Sequence, residues 1–154
     1  VMSDEKHWDV DRLTESTHAS VPMAAQTGVR VVEAERGRVK LLMPFDGNQN
    51  HIGTMYAGAL FALAEFPGGT LFSTTFDASR YYPIVKGVDI QFRRFAATDI
   101  TVEIAMSDDE AAAVAAAADE HGKADYDLEM ELKDADGNVV ATSTNRYQLR
   151  AHGI

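Results

Sequence analysis

Apolar and polar positions alternate along several stretches of the chain, and over one stretch they leave no polar face at all. The clearest alternation is Lys123–Lys133, where Tyr126, Leu128, Met130 and Leu132 interleave with Asp125, Asp127, Glu129 and Glu131. Successive strand side chains point to opposite faces, so the pattern predicts a half-buried antiparallel strand with an acidic solvent face. Residues 84–96 predict a long strand with Val88, Ile90 and Phe92 inward and Asp89, Gln91 and Arg93 outward. Val39, Leu41 and Met43 mark a strand over residues 38–44. It pairs as a hairpin with a strand that begins at Gly28, carries Val29 and Val31, and ends at a Gly37 turn. Residues 100–107 and 138–150 read as two more strands, the second entered through the turn Asp136-Gly137.

The stretch without a polar face runs from Met55 to Ala64, with Thr54 placed to cap its start. A helix that is apolar all round is buried, and about ten residues are too few to cross a bilayer. Pro67-Gly68-Gly69 predicts an interruption or kink, with residues 70–76 resuming the helix. An irregular helical segment over residues 4–25, ended or bent by Pro22, predicts a helix packed over the sheet. An alanine-rich helix over about residues 109–120 starts at an Asp108 cap and closes at Gly122. The expected architecture is α+β: about six antiparallel strands wrapped around one buried helix. A single domain over residues 1–154 holds it, with the helical segment at 4–25 and the core at about 26–150.

Composition narrows the chemistry more than the fold. A formal charge of −10 argues against nucleic acid, which needs a basic footprint. There is no cysteine, hence no disulfide framework and no thiolate nucleophile. The histidines at 7, 18, 121 and 152 are scattered singly without metal-ligand spacing, so no metal is expected. The polar, acidic start carries no signal or spanning segment, which predicts a cytoplasmic protein with no membrane partner.

Three groups of residues carry candidate chemistry. Glu65 closes the apolar helix, and a carboxylate on a buried helix is costly unless it is paired, protonated or used in chemistry. Asn50 and His51 precede the helix, where free N–H groups and the positive dipole end favour an oxyanion; each also serves as an ordinary loop residue. Arg80, Lys86, Arg93 and Arg94 are cations close in sequence, which suits either a phosphate patch or solvated charges paired with Asp77 and Asp89. Met55, Phe61, Phe66 and Leu71 suit an acyl or aryl pocket and equally a core.

The run Asn50-x-x-Gly53-Thr54-x-Tyr56-Ala57-Gly58, followed by an apolar helix and Glu65, resembles the signature of hotdog-fold acyl-CoA thioesterases of the phenylacetate-degradation type. Asn50, Gly53, Gly58 and Glu65 fall in register with it. Tyr56 stands where the family usually has His, and Ala57 where it has the first Gly. The resemblance implies a hotdog fold and hydrolysis of an acyl-CoA-type thioester, with coenzyme A only as part of the substrate and no cofactor. It implies Glu65 as general base or nucleophile, Asn50 orienting water or polarising the acyl oxygen, and the Gly58 N–H as oxyanion donor. His51 and Tyr56 would lie against the substrate, and Arg93, Arg94 and Lys86 near the nucleotide. It also implies a homodimer or tetramer in which Asn50 faces Glu65 across the subunit interface. The alternative is a non-catalytic hotdog module that binds acyl thioesters or a protein partner. A hydratase is weaker, since Tyr56 takes the place of the His that such chemistry pairs with a carboxylate.

Overall fold

A computed structural model describes residues 8–153; His7 and the first residues of the segment expected at 4–25 lie outside the described residues. The chain runs α1 (Val10–Ser20), α2 (Pro22–Thr27), β1 (Arg30–Glu35), β2 (Arg38–Met43), α3 (Ala57–Thr75), β3 (Tyr81–Phe92), β4 (Ile100–Ala105), α4 (Asp108–His121), β5 (Lys123–Lys133) and β6 (Val139–Ala151). All six strands form one antiparallel sheet in the order β1-β2-β4-β5-β6-β3. Sequence neighbours β4 and β3 are far apart in it, and β3 pairs only with β6 as an edge strand.

The sheet wraps α3, whose buried side includes Leu60, Leu63, Ala64, Phe66 and Leu71. Val39, Leu41 and Met43 of β2 and Val102 and Ile104 of β4 complete the same core. The small residues of α3 are what let strand side chains come close. A methyl group on Gly68 would collide with the ring of Tyr147, so only glycine leaves room there. Among the described residues no helix is long and apolar enough to cross a membrane.

The boundaries depart from the sequence pattern in several places, each for a local reason. Pro22 breaks the N-terminal segment as expected, since α1 ends at Ser20, and it also opens α2, where its missing N–H costs nothing. Gly28 is the left-handed cap of α2, with φ 74°, so β1 starts two residues later. Thr54 does not cap α3: that helix begins at Ala57 behind Tyr56, and no side chain caps it. Pro67 lies inside α3 and does not interrupt it. Ser107, not Asp108, caps α4, through a reciprocal capping box with Glu110. The strand expected at 84–96 is Tyr81–Phe92, and Phe92, expected inward, is 51% exposed at its end.

Candidate functional site

The loop before α3 is built by its own amides. Asn50 Oδ1 accepts from the N–H groups of Ile52 and Thr54, and Asn50 Nδ2 donates to Thr54 Oγ1 at 2.9 Å. Thr54 thus supports the turn and not the helix. The left-handed Gly53 (φ 81°) reverses the chain, leaving His51 and Ile52 exposed at the tip. Asn48 ties the loop to the body by donating to the carbonyls of Thr27 and Pro44. Met55 N–H reaches Ala96 O at 2.7 Å, so the segment after β3, with Arg93 and Arg94, borders the same loop.

At the start of α3 the N–H of Gly58 has no partner among the described residues, as expected for the first turn of a helix. Those free donors and the helix dipole make a place for developing negative charge. Tyr56 is 60% exposed, and its ring lies where a methyl on Gly58 would sit. Gly58 therefore admits the Tyr56 ring. Seven residues separate Gly58 from Glu65, about 10 Å along the axis and close to two whole turns. The two lie on one side of α3.

Glu65 is half-buried beside a cleft between α1 and α3. Its carboxylate forms no hydrogen bond or ion pair among the described residues, and desolvation raises its pKa above the ordinary 4.5. The cleft has a volume of ≈ 220 Å³, with Leu13, Thr17 and Val21 on one wall and Glu65, Phe66 and Thr70 on the other. A larger groove, ≈ 860 Å³, lies on the solvent face of the sheet away from Glu65. There Asp89, Glu103, Glu129 and Glu131 outnumber Lys40, Arg93 and Lys133, so the groove is poorly suited to phosphate.

The helix turn that carries Glu65 is held from the sheet. Ser143 Oγ donates to Asn145 Oδ1, while Asn145 Nδ2 donates to Ala64 O and to the Tyr147 hydroxyl, each at 2.9 Å. The Tyr147 hydroxyl in turn donates to Glu65 O at 3.4 Å. Burial pushes the Tyr147 phenol up to about 12, with the Glu65 charge adding to the effect. This polar ladder on β6 was not read from the sequence. Its signal was available: alternation along residues 141–149 puts Ser143, Asn145 and Tyr147 inward between Ala141 and Leu149.

The basic residues do not gather into one patch. Arg80 is held by both carboxylate oxygens of Asp119, and Lys86 pairs with Asp125 at 3.6 Å. Lys86 also lies about 20 Å along β3 from Arg93, given the rise of a strand. Arg93 and Arg94 alone stay together, both exposed, with Arg93 Nε donating to Thr142 Oγ1 at 3.3 Å. No cluster of three or more His, Asp or Glu suited to a metal occurs among the described residues.

Residues 11–149 match the family described as a domain of unknown function, DUF4442. PA5026 from Pseudomonas aeruginosa, described as a protein of unknown function and "Probable Thioesterase", is 47% identical. Its crystal structure superposes with a TM-score of 0.89 over 92% of this chain and 95% of that one. Thioesterase HI1161 from Haemophilus influenzae shares the fold at 11% identity, with a TM-score of 0.74 over 97% of this chain and 98% of that one. The thioesterase PA1618 from Pseudomonas aeruginosa does so at 16% identity and a TM-score of 0.73, covering 97% and 99% of the two chains. No curated protein matches the sequence. With its six-stranded antiparallel sheet wrapped around α3, the chain belongs to the DUF4442 family and has the hotdog fold of thioesterases.

Proposed function

We propose that this protein hydrolyses acyl-CoA-type thioesters with Glu65 as general base. One observation carries the reading: a half-buried carboxylate without a protein partner, its pKa raised by desolvation, opens on a cleft. Such a group is poised to take a proton, whereas a structural carboxylate would be paired. Glu65 accepts a proton from water as the water oxygen bonds to the thioester carbon. The Gly58 N–H, at the dipole end of α3, and the Asn50 amide stabilise the negative charge on the carbonyl oxygen. The carbon–sulfur bond then breaks, and the proton passes from Glu65 to the thiolate, giving a carboxylic acid and a free thiol. The names of the 47% identical PA5026 and of the other structural relatives support this class of reaction.

The resemblance to hotdog thioesterases supports a site shared between two chains. Asn50 and Gly58 of one protomer would act with Glu65 of the partner subunit, in a dimer joined through the free edge of β3. A binding module remains the second reading, favoured because the Asn50 amide already supports its own turn. A thiol-release assay over a panel of acyl-CoAs, run beside light scattering, decides between them. Turnover by a dimer is expected. Tight binding without thiol release selects the module, and a monomer mass at micromolar concentration removes the shared site.

A further inference from the structure

Resting on the reading of Glu65 as the centre of a thioester site, we infer that Gly69 determines which acyl groups this site takes. The acyl chain of the substrate runs along α3, over the bare backbone at Gly69, into the cleft between α1 and α3. The other glycines of the chain have reasons that lie within the protein. Seven of the eleven hold a left-handed backbone. Gly58 and Gly68 leave room for the rings of Tyr56 and Tyr147, and Gly87 marks the irregularity in the register of β3 against β6. Gly69 has none of these. It lies inside α3, and a methyl group there would meet no atom outside its own stretch of helix within 4 Å.

A glycine inside a helix weakens it relative to alanine, so one kept without an internal need points to something outside. The position says what that is. Glu65, Gly69 and Ser73 follow one another at single-turn spacing and all line the cleft. The Cα–Cβ bonds of a helix tilt toward its start, so a methyl at position 69 would lean toward Glu65 from about 6 Å along the axis. One turn the other way stands the ring of Phe61, 43% exposed, which leaves the Gly69 side as the open path from a carbonyl held at Glu65. The hydroxyls beside that path are turned back to their own helices: Ser73 donates to Gly69 O and Thr17 to Leu13 O. Leu13 and Val21 complete the far wall, so an alkyl chain meets mostly carbon there. An acetyl group ends before the Gly69 turn, whereas a hexanoyl chain crosses it.

Binding to the Glu65→Gln variant tests this without turnover. Adding Gly69→Ala should lower the affinity for hexanoyl-CoA relative to acetyl-CoA by about tenfold in calorimetry, the low end of what one methylene decides in an apolar site. Gly69→Leu should lower the ratio further, and kcat/KM measured with Glu65 in place should follow the same order. The thermal midpoint of Gly69→Ala should meanwhile rise by about 2–4 °C, because the helix gains a better former and no contact is crowded. A ratio unchanged by either substitution, or no binding of hexanoyl-CoA, would overturn the inference even if the wild type hydrolyses thioesters. So would a lowered midpoint in Gly69→Ala, which would mean that the protein itself needs the space. A changed mass in light scattering would give the space to a second copy of the chain and overturn it too. A shifted ratio in a protein that releases no thiol would uphold the inference and overturn the hydrolase reading alone.

Discussion

The two ends of one helix treat polar groups in opposite ways. At the start of α3 the polar side chains serve the loop itself: Asn50 accepts and donates within its own turn, and His51 and Tyr56 stay exposed. What this end offers a ligand is backbone, the free N–H of Gly58. Two turns on, the backbone is gripped by Asn145 and Tyr147, and the free group is a side chain, the carboxylate of Glu65. The donors at one end are the unpaired amides of a first helical turn; the acceptor at the other is desolvated and held against a cost. Chemistry that depends on a raised pKa belongs to the second region, and binding to the first.

Replacing Glu65 by Gln tests this division with the largest expected effect. Shape and burial survive while the base is lost, so turnover should fall by about 10² or more. The wild-type kcat/KM should rise with pH through a value above the ordinary 4.5, because desolvation favours the protonated carboxyl. Stability should move the other way. A carboxyl whose folded pKa is raised contributes most below its unfolded value, near 4.5, and loses that contribution as pH rises through the folded value. The variant lacks this loss, so its thermal midpoint should gain on the wild type across that window. Undiminished hydrolysis with a lowered midpoint would make Glu65 structural.

Asn145→Ala probes the grip on the same turn. Asn145 is 0% exposed and serves Ser143, Tyr147 and the Ala64 carbonyl together. Its loss strands buried partners and should cost about 1–3 kcal/mol of stability, read from a urea midpoint. Turnover should fall by a smaller factor than in Glu65→Gln, since the carboxylate remains but its turn is less well held. A midpoint unchanged by the substitution would mean the ladder does not fasten α3.

The contrast between the two ends also marks how far the sequence could be read. The strands and the buried helix were legible because their signals are periodic: Lys123–Lys133 alternates without a break and matches β5 end to end. The helix start was not, because Thr54 has the chemistry of a cap and is drawn instead into the Asn50 turn. Pro67-Gly68-Gly69 reads as a break, yet packing overrides it. Phe66 and Leu71 on either side bury into the core, and Gly68 is needed for Tyr147 to approach. Glu65 stands out from its position on an apolar helix, and its carboxylate is half-buried there. Of the two readings of the basic residues, the single patch does not assemble, because closeness in sequence along a strand becomes distance in space.

The smallest expected effect belongs to the exposed region. Arg93 and Arg94 follow β3 beside the loop, anchored by their backbone N–H groups to Val140 O with both side chains exposed. A chain with a formal charge of −10 repels a polyphosphate, so for the proposed coenzyme A thioester two adjacent cations beside the loop would matter for capture. Under the proposed function, contacts to the nucleotide would be made equally in the ground and transition states. The double substitution Arg93→Ala with Arg94→Ala should therefore raise KM by about threefold to tenfold and leave kcat nearly unchanged. The wild-type KM should climb with ionic strength, since exposed charges are screened over about 10 Å at 0.1 M salt, and the variant should lose most of that dependence. A fall in kcat as large as that of Asn145→Ala would place these arginines in the reacting end of the site and dissolve the division between the two regions. Identical kinetics at every salt concentration would leave them as solvated charges, because no other exposed pair of neighbouring cations borders this loop among the described residues.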